Sequence, residues 1–384
     1  MNHYFSGNQI TLLRNGTEYF PAIEAAIDAA RLEIHLQAYI YEKDETGIRI
    51  GEALKRAVDR GVVVCVLLDG YGSKNLPSDY VETLRAAGIK LMFFRPKISP
   101  WTLKRNRLRR LHRKVLVVDG CLAFVGGINI IDDQNCPGNN APRVDYAVKV
   151  EGPLVRRIHT SIYRHWRRIS WMHFRQAHDN PVERLPQPTT AGNMRAAYVI
   201  RNNVLHRRDI ERAYLRAIGT ARREILIANA YFLPGKAFRR ALIAASKRGV
   251  RVRVLLQGKM EYWLMFATHA VYGLFLRHRI EIYEYRKSFM HSKVAVVDDL
   301  WATVGSSNID PMSLLLAHEA NVVVRNREFA TLLREDIEQA IEAGGYRIRT
   351  EDWNGRHVFR RFFSWATYLL VRIMMGIAGF PKGR

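Results

Sequence analysis

The sequence carries one chemical pattern twice, and the two copies keep the same internal spacing. The first copy runs from His112 to Asn129 and the second from His291 to Asn308. Each copy reads H-x-K-x4-D-x6-G-[GS]-x-N, and each position of the second follows its counterpart in the first by 179 residues. Because chance does not produce such a match, we predict a chain built from two duplicated halves rather than a short-period repeat.

Each copy also contains a short apolar run with the character of a buried strand, at 115–118 and at 294–297. The histidine and lysine of each copy are two residues apart, so they point to the same face of a strand. Imidazole can act as nucleophile, acid or base, and ammonium groups bind phosphate oxygens. Two such strands meeting across an interface would therefore form a phosphoryl-transfer site with pseudo-twofold symmetry.

The surroundings of the two copies repeat more loosely. The stretch 60–68 (RGVVVCVLL) matches 248–256 (RGVRVRVLL), and short strands alternate with amphipathic helices in both halves. This alternation predicts an α/β fold with mixed or parallel sheets. We divide the chain into a first lobe at 1–178, a linker at 179–195, a second lobe at 196–350 and a C-terminal apolar helix at 351–384.

The charge of the chain indicates a polyanionic partner. The 384 residues carry a formal net charge of +24, which favours either nucleic acid or an anionic lipid surface. The three cysteines predict neither a disulfide nor a metal centre, and the motifs lack the ligand spacing of a zinc site. We therefore expect no metal, and the N-terminal residues lack the apolar core of a signal peptide.

Some segments are candidates for membrane contact. The basic stretch 104–110 is either a solvated surface run or an anion-attracting rim beside the first motif. The apolar stretch 362–380 has a central Arg372, which costs about 2.5–3.5 kcal/mol in a spanning helix, so an interfacial helix fits better than a spanning one. A helix docked on the protein core is the alternative. The proposed contact residues are Trp101, Leu103, Phe362, Trp365 and Leu369.

An aromatic stretch at 261–276 precedes the second motif. Such a stripe forms either part of the apolar core or the wall of a channel for acyl chains.

The paired pattern resembles the phospholipase D superfamily. Longer segments resemble the bacterial cardiolipin synthases, most strongly their B type, over residues 7–343; examples are 67–73 (LLDGYGS), 228–235 (ANAYFLPG) and 301–311 (WATVGSSNIDP). This resemblance implies two pseudo-symmetric phospholipase D-like α/β lobes with mixed sheets, packed around a shared active site. It also implies that the catalytic residues are those of the motif: His112, Lys114, Asp119, His291, Lys293 and Asp298.

The chemistry of phosphodiester exchange gives further residues a role. Lys114, Lys293, Asn129 and Asn308 can hold the phosphate oxygens. A nucleophilic imidazole needs an acceptor on its second nitrogen, and Asp145 and Glu319 occupy equivalent places for this; the alternative for Asp145 is a simple pair with Arg143.

Two members of the motif do not fit a direct catalytic role. Asp119 and Asp298 stand an odd number of residues from their histidines, so we expect them to face away and to act as structural acceptors.

The resemblance implies phosphatidyl transfer without a cofactor. One phosphatidylglycerol would give its phosphatidyl group to His112, with His291 as acid and base, and a second phosphatidylglycerol would then accept it to form cardiolipin. The partners would be anionic phospholipid and the cytoplasmic face of the cell membrane, bound peripherally, with nucleic acid unlikely. The alternatives are a hydrolase, a nuclease and a catalytically silent membrane-binding protein; the oligomeric state stays open.

Overall fold

The computed structural model describes residues 3–95, 109–172, 185–202, 205–259, 268–315 and 317–351. The elements of the first half are β1 (Phe5–Arg14), α1 (Asn15–Ala29), β2 (Glu33–Ala38), α2 (Glu45–Asp59), β3 (Val63–Asp69), α3 (Ser78–Ala86), β4 (Lys90–Phe94), β5 (Lys114–Val118), β6 (Leu122–Gly126), β7 (Arg143–Val144), β8 (Tyr146–Glu151) and α4 (Leu154–Met172), with a 3-10 turn at Pro137–Asn139. Those of the second half are β9 (Met194–Arg201), α5 (Asp209–Thr220), β10 (Glu224–Asn229), α6 (Lys236–Lys247), β11 (Arg251–Gln257), α7 (Tyr272–Arg277), β12 (Glu281–Tyr285), β13 (Phe289–Met290), β14 (Lys293–Val297), β15 (Trp301–Gly305), α8 (Pro311–Leu315), β16 (Glu319–Arg325), α9 (Arg327–Gly344) and β17 (Gly345–Ile348).

The strand order has the pseudo-twofold symmetry that the duplicated motif predicts. Strands β1 and β9 lie side by side at the centre, with β8-β6-β5-β2-β3-β4 following on one side and β16-β15-β14-β10-β11-β12 on the other. Within each half the last three of these strands are parallel and the others antiparallel, so the sheets are mixed. The α/β class and the two equivalent lobes are therefore confirmed.

The two sheets are joined and also packed face to face. The β1–β9 pairing joins them through a register shift between Phe5 and Asn8. Strands β6 and β8 of the first half contact β15 and β16 of the second, and the buried side chains between them form one shared apolar core. Helices α4 and α9 contribute to this core, while α1 to α3 and α5 to α7 cover the outer faces. This packing fixes the two motif strands on opposite sides of one interface.

Several predicted segments lie outside the described residues. These are Trp101 and Leu103 of the basic loop, residues 179–184 of the proposed linker, and the proposed apolar helix from residue 352 onward with Phe362, Trp365 and Leu369. Of the aromatic stretch, Tyr272 and Phe275 are described, and both are buried in the outer core of the second half. Within the part of the chain that is described, no helix is both long and apolar enough to cross a bilayer.

Candidate active site

The chain entering each motif crosses onto a strand of the opposite half. Leu111 pairs in parallel with His318, and the backbone N–H of His112 donates to the carbonyl of His318 at 3.0 Å. In the other half β13 pairs in parallel with β7, and the N–H of His291 donates to the carbonyl of Val144 at 2.8 Å. The residue that follows His318 is Glu319, and the residue that follows Val144 is Asp145. Each pairing therefore brings a histidine next to a carboxylate of the opposite half.

The first histidine is held by a carboxylate from the second half. Nδ1 of His112 lies 3.1 Å from one carboxylate oxygen of Glu319 and 3.0 Å from the other. Glu319 is fully buried, whereas 15% of the His112 side chain is exposed. With Nδ1–H donating to the carboxylate, Nε2 is left with a free lone pair, as a nucleophile requires.

The second histidine is held by a carboxylate from the first half. Nδ1 of His291 lies 2.7 Å from Oδ2 of Asp145, and Lys293 Nζ lies 3.2 Å from the same oxygen. Lys293 Nζ is also 2.7 Å from Nδ1, but both groups are donors, so they share the carboxylate rather than bonding to each other. Asp145 does not form the alternative pair with Arg143, which donates to the carbonyl of Asn135 instead.

The two carboxylates have different neighbours although the halves are equivalent. Ser306 Oγ donates to Glu319 at 2.5 Å. Its counterpart in the first motif is Gly127, where an added Cβ would lie only 2.3 Å from Oδ1 of Asp145. Glu319, the longer side chain, thus accepts a hydrogen bond from the Ser306 hydroxyl, whereas the shorter Asp145 lies against the backbone of Gly127.

Burial lowers the pKa values of the basic groups in the site. It lowers the pKa of His112, against the opposing effect of Glu319, and together with Lys293 it lowers the pKa of His291 to about 3. Burial also lowers the pKa of Lys114 to about 7 and that of Lys293 to about 8. Burial alone would raise the pKa of Asp145, but Lys293 and His291 outweigh it and hold this carboxyl below its usual range.

The residue before each histidine is fixed by a side chain that sequence reasoning did not assign to the site. The buried Asp69 accepts the N–H of Leu111 at 2.7 Å, and the buried Gln257 accepts the N–H of Met290 at 3.2 Å. Both side chains stand at the last position of a matched strand, β3 or β11. The sequence repeat places Asp69 and Gln257 at equivalent positions. Because one is an aspartate and the other a glutamine, the repeat did not indicate that both accept a backbone N–H beside a histidine.

Asp119 and Asp298 accept hydrogen bonds from the backbone, so we propose a structural role for both in place of the catalytic role that the motif implies. Each follows the far end of its strand, seven residues or about 23 Å along an extended chain from the histidine. Asp298 accepts the backbone N–H groups of Arg222, Arg223 and Glu224 at 2.7–2.9 Å. Asp119 accepts those of residues 31–33 in the same way. Both are structural acceptors, as their odd spacing from histidine predicts.

The two asparagines are buried at the ends of the motifs. Asn129 Oδ1 accepts the N–H of Ile40 at 3.1 Å, which leaves its amide N–H groups for another acceptor. Asn308 is also buried, and its Oδ1 has no partner among the described residues. Their role in phosphate binding stays a prediction.

Aromatic rings stand beside both histidines. The ring of Tyr39 lies 4.7 Å from that of His112, with Lys114 Nζ 5.2 Å above the same tyrosine. Phe289 stacks on His291 at 5.8 Å. These rings restrict the orientation of both imidazoles.

Three side chains of types that can bind a metal ion form a buried cluster outside the motifs. Glu33, His35 and His159 are buried together between β2 and α4, and His159 Nε2 lies 2.5 Å from Glu33. A buried carboxylate between two imidazoles can be satisfied by them directly, so this group serves to fasten α4 to the sheet.

Comparisons with known proteins agree with this geometry. The family model described as "Cardiolipin synthase, PLD-like domain" matches residues 23–166 and 214–341. Cardiolipin synthase B of Escherichia coli K12 is 39% identical over 88% of this chain and 81% of its own length. Cardiolipin synthase 1 of Bacillus cereus is 30% identical over 85% of this chain and 65% of its own.

Solved structures share the fold at low sequence identity. The phosphatidylserine synthase of Haemophilus influenzae has a TM-score of 0.72 at 16% identity, covering 96% of this chain and 95% of that one. The polyphosphate kinase of Porphyromonas gingivalis has a TM-score of 0.56 at 15% identity, covering 95% of this chain and 53% of that one. From the family match and the identity to its relatives, the chain belongs to the phospholipase D-like cardiolipin synthase family of phosphatidyltransferases.

Proposed function

We propose that the protein makes cardiolipin by transferring a phosphatidyl group from one phosphatidylglycerol to another through a phosphohistidine. The observation that carries this proposal is the crossed arrangement, in which His112 is held by Glu319 and His291 by Asp145. Each half therefore needs the other to complete its histidine, and both imidazoles are prepared for chemistry at the interface.

In the first half-reaction, Nε2 of His112 attacks the phosphorus of a bound phosphatidylglycerol. The bond from phosphorus to the head-group glycerol oxygen breaks, and His291 donates a proton to that oxygen, so that glycerol leaves. In the second, His291 takes the proton from a hydroxyl of another phosphatidylglycerol. The freed oxygen attacks phosphorus, the phosphorus–nitrogen bond breaks, and cardiolipin leaves.

The electrostatics of the site set the order of events. In the free site His291 is neutral, because burial and Lys293 lower its pKa to about 3. A phosphodiester anion between the two lysines raises that pKa, so His291 takes up its proton together with the substrate. His112 is also neutral at pH 7 because its pKa is lowered by burial, as a nucleophile requires.

We further propose that the protein associates peripherally with the cytoplasmic face of the cell membrane. Its formal net charge of +24 supports this, since each lysine or arginine near an anionic surface contributes about 1 kcal/mol. Trp101, Leu103 and the apolar stretch 362–380 supply candidate contact side chains.

The test is a product analysis with purified protein and vesicles that contain phosphatidylglycerol labelled in the head group. Cardiolipin and glycerol in equal amounts are expected from the wild type, and neither is expected from His112→Ala. Phosphatidic acid as the main product would assign the protein as a hydrolase with the same first half-reaction. Full turnover in His112→Ala would remove this histidine as the nucleophile.

A further inference from the structure

A second cavity, of about 810 Å³, lies behind the His112 strand and does not include either catalytic histidine in its lining. It is enclosed by helix α4, strand β9, the end of β4 and the backbone that leads into β5. Because side chains alternate along a strand, Arg113 points into this cavity while its neighbours in the motif serve the active site. The cavity and the active site thus stand on opposite faces of one short segment.

The lining of the cavity is strongly and uniformly basic. Its described lining residues include three histidines, no carboxylate and six arginines: Arg95, Arg109, Arg113, Arg157, Arg164 and Arg168. In the part of the chain that the structure describes, none of the six forms an ion pair with an acidic side chain, although arginines elsewhere do so frequently. We call this space the arginine cavity.

The deepest of these arginines forms no ion pair within the described part of the chain. Arg113 is only 3% exposed, and the hydrogen bond described for its side chain runs from Nε to the main-chain carbonyl of Glu319, at 3.2 Å. A buried guanidinium is costly to desolvate unless an anion or several acceptors compensate it. A carbonyl oxygen on one nitrogen leaves the terminal N–H groups to be satisfied from the cavity side.

Other polar atoms of the lining are also buried and have no partner among the described residues. Nη1 of Arg95 and both ring nitrogens of His165 are inaccessible to solvent and form no hydrogen bond with any residue in the described ranges. The rings of His165 and His318 are 5.2 Å apart, each also close to Phe94. Burial lowers the pKa of His165 to about 3, and the positive charges of Arg113 and Arg168 contribute a smaller part of that shift. An anion among these groups could accept hydrogen bonds from the Arg95 guanidinium and from the one N–H of the His165 ring.

We propose that the arginine cavity binds a phosphate-bearing ligand that carries at least two negative charges, at a site separate from the catalytic one. Guanidinium groups match phosphate oxygens in bidentate geometry, which makes phosphate the favoured anion. The volume exceeds that of a single inorganic phosphate, and the lining includes Phe94, Ile169 and Ile200, so the ligand has room for an organic part. Either a soluble phosphate ester or the head group of an anionic lipid has this chemistry.

The site is connected to His112 through two backbone contacts. Arg113 holds the carbonyl of Glu319, and His318, which lines the cavity, accepts the N–H of His112 through its own carbonyl. Glu319 in turn orients the imidazole of His112. A ligand in the cavity therefore contacts residues of the two segments that position His112, the proposed nucleophile.

Helix α4 offers both a test pair and a matched control. Arg164 and Arg168 are exposed and line the mouth of the cavity, while Arg156 and Arg167 are exposed on the same helix and do not line it. The double substitutions Arg164→Gln/Arg168→Gln and Arg156→Gln/Arg167→Gln each remove two charges from α4. Since all four side chains are exposed, thermal melts are expected to match that of the wild type.

The first arm of the experiment uses calorimetry to measure the binding of inorganic pyrophosphate to the full-length protein. The Arg164→Gln/Arg168→Gln protein is expected to bind at least about tenfold more weakly than the wild type, and the control pair within about twofold. The second arm measures sedimentation with vesicles that contain cardiolipin, whose head group carries two phosphodiester charges. A difference between the pairs with pyrophosphate assigns a soluble ligand, and a difference only with vesicles assigns a lipid head group.

Equal binding by the two double variants in both arms would overturn the proposal. Cardiolipin formation by the same proteins is measured separately. Loss of the proposed function and loss of the second site are thus distinguishable, since either can occur without the other.

Discussion

At the scale of single residues, the site depends on a carboxylate that each histidine receives from the opposite half. The second-half carboxylate, Glu319, is fully buried and touches both His112 and Ser306. In the proposed mechanism, its charge stabilises the positively charged ring that forms when His112 attacks phosphorus, and its position fixes the reactive tautomer.

Glu319→Gln tests this role. The amide keeps the size of the side chain but loses the charge, so we expect kcat to fall by about 10³-fold, with a much smaller change in KM. Steady-state kinetics on phosphatidylglycerol provide the measurement, and Glu328→Gln, an exposed position on the same half, serves as the control. A kcat within about twofold of the wild type would remove Glu319 from the mechanism.

A substitution at Gly127 provides a second single-residue test, because Asp145 occupies the space that a side chain at this position would need. A Cβ there would lie 2.3 Å from Oδ1 of Asp145, so Gly127→Ala must displace the carboxylate that orients His291. We expect activity to fall by about tenfold or more. Gly219→Ala is the matched control, since no atom lies within 4 Å of its added Cβ. Equal activities of the two variants would show that Asp145 does not need this approach.

The lysines predict the pH dependence. Burial lowers the pKa of Lys114 to about 7 and that of Lys293 to about 8, so the charged forms exist below these values and are lost as the pH rises through them. Since kcat/KM reports ionisations of the free enzyme, we expect it to decline between about pH 7 and 9. A profile that stays flat or rises to pH 9 would show that the ammonium charges do not bind substrate.

Much of the residue-level site was predictable from the duplicated motif, but its cross-connections were not. The spacing of His112 and Lys114 predicts their common face, and the equivalent positions of Asp145 and Glu319 mark both as acceptors. Which carboxylate serves which histidine depends on packing between the halves. Local sequence carries no signal for that choice, because both arrangements satisfy the same pattern.

At the scale of elements, short parallel pairings bring each histidine to its carboxylate. Strands β7 and β13 are two residues each, too short for a periodic pattern, and so they were not predicted. By contrast the apolar runs 115–118 and 294–297 predicted β5 and β14 well. Strand β1 begins at Phe5, ahead of the apolar residues that start at Ile10, because pairing with β9 holds its more polar first half.

The loops that start β2 and β10 depend on the aspartate at the end of each motif strand. Asp298 accepts three backbone N–H groups, from residues 222–224, so Asp298→Ala is expected to lower the free energy of unfolding by about 2 kcal/mol. Thermal melts measure that loss, and kcat measured well below the melting temperature is expected to stay near the wild-type value. A kcat lowered about 100-fold with an unchanged melt would restore Asp298 to the catalytic set.

At the scale of the whole molecule, the duplication explains why one chain has a complete site. The two sheets share one core, and each half supplies a histidine to one position and a carboxylate to the other. The repeat spacing of 179 residues predicted two equivalent halves, whereas the continuous strand order through β1 and β9 came from the structure. As a consequence of this arrangement, neither half alone can hold both imidazoles against their carboxylates.

The most direct test of this account is a crystal structure of the protein with tungstate, a phosphate analogue. We expect one ion in the site, with Nε2 of both His112 and His291 within about 3–3.5 Å of it and the ammonium groups of Lys114 and Lys293 on its oxygens. Two ions bound separately, or one ion that reaches only a single imidazole, would contradict the central claim that both histidines act on one phosphorus.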